Sequence, residues 1–153
     1  MENVEILPFS PELKPYFNSI NRVWVEELFE IEPFDKEQLE NPEKYVLDKG
    51  GEIIFARSEG KIVGTIGLAK VDETTYEMIK MGVDKSAQGK GVGMILAKEI
   101  LKIAKEKGAD KVILYTHSKL KAAISIYEKL GFKEIQLCND KYVRCDLVME
   151  LDL

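Results

Sequence analysis

The chain has 153 residues, 45% of them apolar and 32% charged, the balance of one ordinary globular domain expected to cover residues 1–153. No apolar run approaches the roughly 20 residues of a membrane span, and the acidic start Met1-Glu2-Asn3-Val4-Glu5 does not read as a secretory signal; no membrane partner and a cytoplasmic location are expected. A net charge of −5 runs against the basic footprint of a nucleic-acid binder.

In chain order, Val4-Glu5-Ile6-Leu7 reads as a short first strand. Ser10-Pro11 is a helix-start signal, with Pro15 as an alternative start, and Phe17, Ile20, Trp24 and Leu28 keep helical spacing. Glu32-Pro33-Phe34-Asp35 breaks that period, and a second, less regular helix is expected over about Lys36 to Asp48, ended by Gly50-Gly51. Glu52 to Arg57 and Lys61 to Leu68 read as strands around the turn Ser58-Glu59-Gly60, followed by a third strand from Tyr76 to Val83. Gly64, Gly67 and Gly82 inside these strands suggest bulges or close approaches of a ligand or backbone.

The period then changes. From Gly91 to Lys107 the set Val92, Leu96, Ile100, Ile103 and Ala104 forms one helix face, with Gly108 placed to end it. Lys111 to Thr116 reads as a buried strand, Lys119 to Leu130 as an amphipathic helix, and Phe132 to Leu137 with Tyr142 to Leu151 as two closing strands around Asn139-Asp140-Lys141. This order implies an α/β (α+β) fold: a mixed, mostly antiparallel sheet with helices on both faces and one parallel pair across the segment Tyr76 to Thr116. Cys138 and Cys145 lack CxxC spacing and nearby ligand groups, so structural zinc is not expected.

Gly89, Gly91 and Gly93 lie between a strand and a strong amphipathic helix. Glycine there allows left-handed backbone and close approach, and a helix start offers unpaired N–H donors and a positive dipole end, so the segment suits a phosphate. The P-loop pattern fails because Gly91 is followed by Val92 rather than Lys and a hydroxyl residue, and the dinucleotide fingerprint fails because the glycines run G-x-G-x-G. On these grounds the ligand stays open, and a tight turn without a ligand is the plain alternative.

Gln88-Gly89-Lys90-Gly91-Val92-Gly93 resembles the Gln/Arg-x-x-Gly-x-Gly/Ala signature of the GNAT superfamily of acetyl-CoA-dependent N-acetyltransferases, and Ala123 to Phe132 resembles the family's second motif. The likeness in element order covers nearly the whole chain. It implies acetyl-CoA as acyl donor without a metal or a covalent enzyme intermediate, and an amine on a small molecule or protein as acceptor. Backbone amides from Gln88 through Gly89, Lys90, Gly91 and Val92 to Gly93 would hold the CoA pyrophosphate, with the Lys90 side chain adding charge. Met81, Gly82 and Val83 would pair with the pantetheine arm between two strands that splay apart. Tyr127 matches the position of a general acid for the departing thiolate.

Glu77 lies eleven residues before Gln88, the spacing of the catalytic glutamate in the family's histone-acetyltransferase branch. Simple alternation puts it on one strand face with Ile79, Met81 and Val83, and a desolvated carboxylate there could take a proton from the amine. A strand glutamate paired with Lys80 or another surface cation is the alternative. His117, the only histidine, stands where the resemblance leads one to expect asparagine. Trp24, Phe29, Phe34 and Tyr45 come from the region that shapes the acceptor pocket in the family, and Glu26, Glu27, Glu30 and Glu32 form either an attractor for a cationic acceptor or a solvated face. The resemblance leaves room for a homodimer. The competing function is an acyl-CoA-binding or regulatory module that keeps the fold without turnover.

Overall fold

A computed structural model describes residues 3–136 and 147–153. Strand β1 (Val4–Pro8) leads into helix α1 (Lys14–Leu28), and α2 (Pro33–Glu40) is followed by a π turn over Glu43–Leu47. Three strands follow, β2 (Glu52–Ser58), β3 (Lys61–Lys70) and β4 (Thr75–Val83), then a 3-10 turn over Lys85–Ala87 and helix α3 (Val92–Glu106). The chain closes with β5 (Lys111–Thr116), α4 (Lys121–Leu130), β6 (Lys133–Gln136) and β7 (Leu147–Asp152). Cys138, Cys145 and the turn expected at Asn139-Asp140-Lys141 lie outside the described residues.

The start of α1 resolves the two readings of its sequence. Ser10 accepts bonds from the N–H groups of Leu13 and Lys14 in a first turn, and the regular helix begins at Lys14 with Pro15 in its first turn, where a missing N–H costs nothing. The second helical region departs from expectation. It starts three residues early because Pro33 occupies an N-terminal helical position while Glu32 and Asp35 cap each other's backbone N–H groups reciprocally. It stops at Asn41, whose φ of −131° and ψ of 59° leave the helical region, and Pro42 then separates α2 from the π turn.

The sheet order is β1-β2-β3-β4-β5-β7-β6, antiparallel throughout except for the parallel pair β4–β5. One face packs Ile53, Phe55 and Ile79 against Phe17 and Ile20 of α1 and Leu39 of α2. The other packs Ile66, Leu68, Met78, Val112 and Leu114 against Val92, Leu96 and Ile100 of α3 and Tyr127 of α4. Central β4 is thus covered on both sides, and its residues Tyr76 to Lys80 are all buried.

β4 is not a regular strand. Ile79 opposes Gly67 and Gly82 opposes Thr65, so Lys80 and Met81 together face the single residue Ile66. Lys80 takes a φ of +52°, unusual for a residue with a side chain. This bulge corrects the alternation expected from sequence. Glu77 shares a face with Ile79 toward α1, whereas Met81 and Val83 turn to the α3 side. Gly82 returns to the α1 face, where a Cβ would sit 2.9 Å from both Asn21 Oδ1 and Ile20 Cγ2, so the close approach read from its glycine is real.

Candidate active site

The parallel ladder between β4 and β5 covers only Thr75–Glu77 against Lys111–Ile113, although both strands continue well beyond it. Past Glu77 the bulged β4 and the regular β5 separate. A cleft of about 900 Å³ opens between them, walled by β4, the end of β5, α1 and α4. Every site residue expected from the sequence lines it except Lys90.

At one end of the cleft lies the glycine segment. Gly89 and Gly91 have φ of +79° and +85°, the left-handed backbone that side chains resist, and Gly91 is the N-cap of α3. No side chain caps this helix. By helix geometry the N–H groups of Val92, Gly93 and Met94 have no partner within α3, and all three residues line the cleft. The N–H of Gln88, by contrast, points to the Lys85 carbonyl at 3.4 Å, so the open amides begin at Gly89. Gln88 contributes differently: its Nε2 donates to the Val83 carbonyl at 3.1 Å and ties the loop to the end of β4. Asp84 braces the same corner by accepting from the Ser86 N–H and hydroxyl, which hold its carboxyl below the usual carboxylate range.

The middle of the cleft carries Glu77 and Tyr127. Glu77 is 2% exposed. Tyr127 is buried with its ring edge-on to Phe132 at 5.9 Å, and burial pushes its phenol well above the ordinary value of 10. It therefore keeps its proton at any physiological pH, the state a proton donor needs.

At the far end, three rings bridge α1 and β5. Phe29 stands edge-on to Trp24 at 6.5 Å and to His117 at 5.3 Å, and Lys119 Nζ lies 5.1 Å over the Phe29 ring. His117 Nδ1 accepts the Lys119 N–H at 3.0 Å, which leaves Nε2 to carry the proton of the neutral imidazole. Trp24 lines the cleft, whereas Phe29, Phe34 and Tyr45 stand outside its walls. The α1 carboxylates have partners: Glu27 pairs with Lys85 at 2.5 Å across the cleft mouth, and Glu26 with Arg22 at 3.7 Å.

Asp35 went unnoticed in the sequence as a site residue, and Lys80 entered only as a surface partner for Glu77. They form a buried ion pair, and Lys80 lines the cleft beside Glu77. The available signal was Lys80 itself, a charge inside the apolar run Met78 to Val83.

An uncapped helix start opened by two left-handed glycines fits a pyrophosphate, and the gap between β4 and β5 offers strand edges to an extended, amide-bearing arm. The family model for acetyltransferases of the GNAT type matches residues 15–132. The chain belongs to the GNAT acetyltransferase family. Among curated GNAT relatives, human N-acetyltransferase 8B is 32% identical over 95 residues, 59% of this chain and 42% of that protein. Human N-acetylaspartate synthetase is 28% identical over 137 residues, 89% of this chain and 43% of that protein. The chain thus spans less than half the length of these relatives. A GNAT acetyltransferase structure from Staphylococcus aureus Mu50 superimposes with a TM-score of 0.87 at 26% identity, covering 97% of this chain and 98% of that one. The fold is also that of an N-acetyltransferase from Thermoplasma acidophilum in complex with coenzyme A, with a TM-score of 0.77 at 22% identity over 99% of both chains. Among the described residues no helix is long and apolar enough to cross a membrane, and no group of three His, Cys, Asp or Glu side chains is arranged to hold a metal ion.

Proposed function

We propose that this protein, as one domain over residues 1–153, transfers an acetyl group from acetyl-CoA to a primary amine by direct attack on the thioester. The observation that carries the reading is the uncapped start of α3, opened by left-handed Gly89 and Gly91, at one end of a cleft that separates β4 from β5. The amides from Gly89 to Gly93 bind the pyrophosphate, Lys90 adds charge from outside the cleft wall, and Gln88 holds the loop against β4. The strand edge Met81–Val83 takes the pantetheine arm.

The acceptor ammonium gives a proton to Glu77, and the freed nitrogen lone pair attacks the carbonyl carbon. The C–S bond then breaks with its electron pair on sulfur, Tyr127 protonates that sulfur, and the nitrogen's second proton returns to Tyr127 directly or through water. The proposed setting is cytoplasmic, and β1 and β6 at the two sheet edges are surfaces through which a homodimer can form.

Tyr127→Phe is expected to lower kcat only about tenfold, because a thiol of pKa near 8.5 leaves with little help from an acid. The same substitution has a stability signature. With its folded pKa raised above the unfolded value, Tyr127 contributes stability below about pH 10 that is lost as pH rises further. Urea unfolding of wild type and Tyr127→Phe at pH 9 and pH 11 should therefore show wild type losing more; equal losses would mean the phenol is not desolvated.

The reading is tested by release of free CoA thiol from acetyl-CoA across a panel of amines. The name of the relative N-acetylaspartate synthetase argues for including aspartate, beside other free amino acids, polyamines, aminoglycosides and peptide N-termini. Amine-dependent thiol release supports the enzyme. CoA binding with no release for any amine supports the non-catalytic acyl-CoA-binding module instead.

A further inference from the structure

The Asp35–Lys80 pair is the most deeply buried ion pair in the described residues: Asp35 is 0% and Lys80 6% exposed, and Lys80 Nζ lies 2.5 Å from Asp35 Oδ1. Desolvating two ions offsets most of what their attraction returns, so such a pair adds little net stability over an apolar replacement. What it does accomplish is geometric. Lys80 is the bulge residue of β4 with φ of +52°, a conformation that disfavours a side chain by about 1–2 kcal/mol and that surrounding contacts must hold.

Asp35 supplies such a contact from a fixed point. Its Oδ2 accepts the Glu32 N–H at 3.0 Å as part of the α2 cap, while its Oδ1 takes Lys80. One carboxylate therefore joins the first turn of α2 to the bulge. The bulge in turn decides which way β4 presents itself. Before it, Glu77 and Ile79 face α1; after it, Met81 and Val83 face α3, and the ladder to β5 has already ended at Glu77.

We propose that Asp35 and Lys80 are positioning residues for acyl transfer, their ion pair holding the β4 bulge and with it the placement of Glu77 relative to the strand edge Met81–Val83. The inference rests on the acetyl-transfer reading above. Neither residue touches the reacting atoms; they act through the backbone of β4.

The test is the double variant Asp35→Asn/Lys80→Met. Asn keeps an oxygen for the Glu32 N–H, Met keeps an unbranched chain, and no lone charge is left buried. At saturating acetyl-CoA and acceptor, kcat is expected to fall about five- to tenfold, while the calorimetric Kd for CoA weakens by less than that, because the glycine segment still holds the pyrophosphate although the Met81–Val83 edge shifts. Lys80→Arg keeps the cation and should hold kcat within about twofold of wild type. A role confined to folding would shift the melting temperature and leave the kcat of folded protein unchanged, so wild-type kcat in the double variant overturns the proposal. If the double variant does not fold, Asp35→Glu replaces it, keeping both charges but displacing the pair by a methylene; it should show the same split, and wild-type kcat would again overturn the proposal. Failure of wild type itself to bind CoA or turn over removes the acetyl-transfer reading and this inference together. Wild-type turnover with unaltered variants removes the positioning role alone.

Discussion

Glu77→Gln is expected to lower kcat about 100-fold at neutral pH and leave the Kd for CoA unchanged. The carboxylate sits in the wall of the cleft, 2% exposed, on the α1 side of β4 and away from the glycine segment. Gln preserves size and hydrogen-bonding reach but cannot take the proton that the amine must lose, so the loss falls on the chemical step. An acceptor deprotonated in solution bypasses that need. Raising the pH toward the acceptor's own pKa should therefore narrow the gap between variant and wild type, a trend that a misfolded variant would not show. Steady-state kinetics between pH 6.5 and 9.5, with CoA binding measured beside them, decide the matter. Wild-type turnover at neutral pH would take Glu77 out of the mechanism.

Gly91→Val should act on the other end of the cleft. Gly91 combines a φ of +85° with the N-cap position of α3, and a β-branched residue fits that backbone worst of all. Relaxing the strain means turning the N–H groups that follow it. Loss of one charge-assisted hydrogen bond to a phosphate, about 1.5–3 kcal/mol, corresponds to a roughly 10- to 100-fold weaker Kd for CoA. Gly89→Ala is the milder control, since its Cβ would meet nothing within 4 Å and only the φ of +79° resists it. Calorimetric titration with CoA reads both variants. A Gly91→Val protein that is folded and binds CoA like wild type would remove the glycine segment from the binding site.

Much of the fold was legible in the chain because its signals are local. The switch from strand alternation in Tyr76 to Val83 to the helical face of Val92, Leu96 and Ile100 marks the parallel crossover, and Gly108 and Gly131 end α3 and α4 with φ of +93° and +101°. Pro33 misled because proline reads as a breaker in mid-pattern, yet it opens a helix when the preceding residue can cap. The bulge misled for a different reason. Alternation is a rule for flat strands, and a strand buried on both faces gives no polar side from which a slip could be read.

The candidate site divides in the same way. The glycine segment and Tyr127 lie in short motifs whose residue types are fixed by local backbone and helix position. The Asp35–Lys80 pair joins residues 45 apart, and the bond from Gln88 to the Val83 carbonyl is a side-chain act hidden inside a motif read for its backbone. Glu77 was singled out by its spacing from Gln88 as the family resemblance suggests, and it keeps the face of Ile79, but the bulge breaks the alternation expected to carry on to Met81 and Val83.

Amide hydrogen exchange with and without CoA puts the central claim to its most direct test. Bound CoA should slow exchange at Gly89 through Met94 and at the β4 edge Met81 to Val83, and leave β1 and α2 as they were. CoA binding that leaves both segments unprotected, or that protects a different surface, would contradict a cofactor site between β4 and β5 at the start of α3.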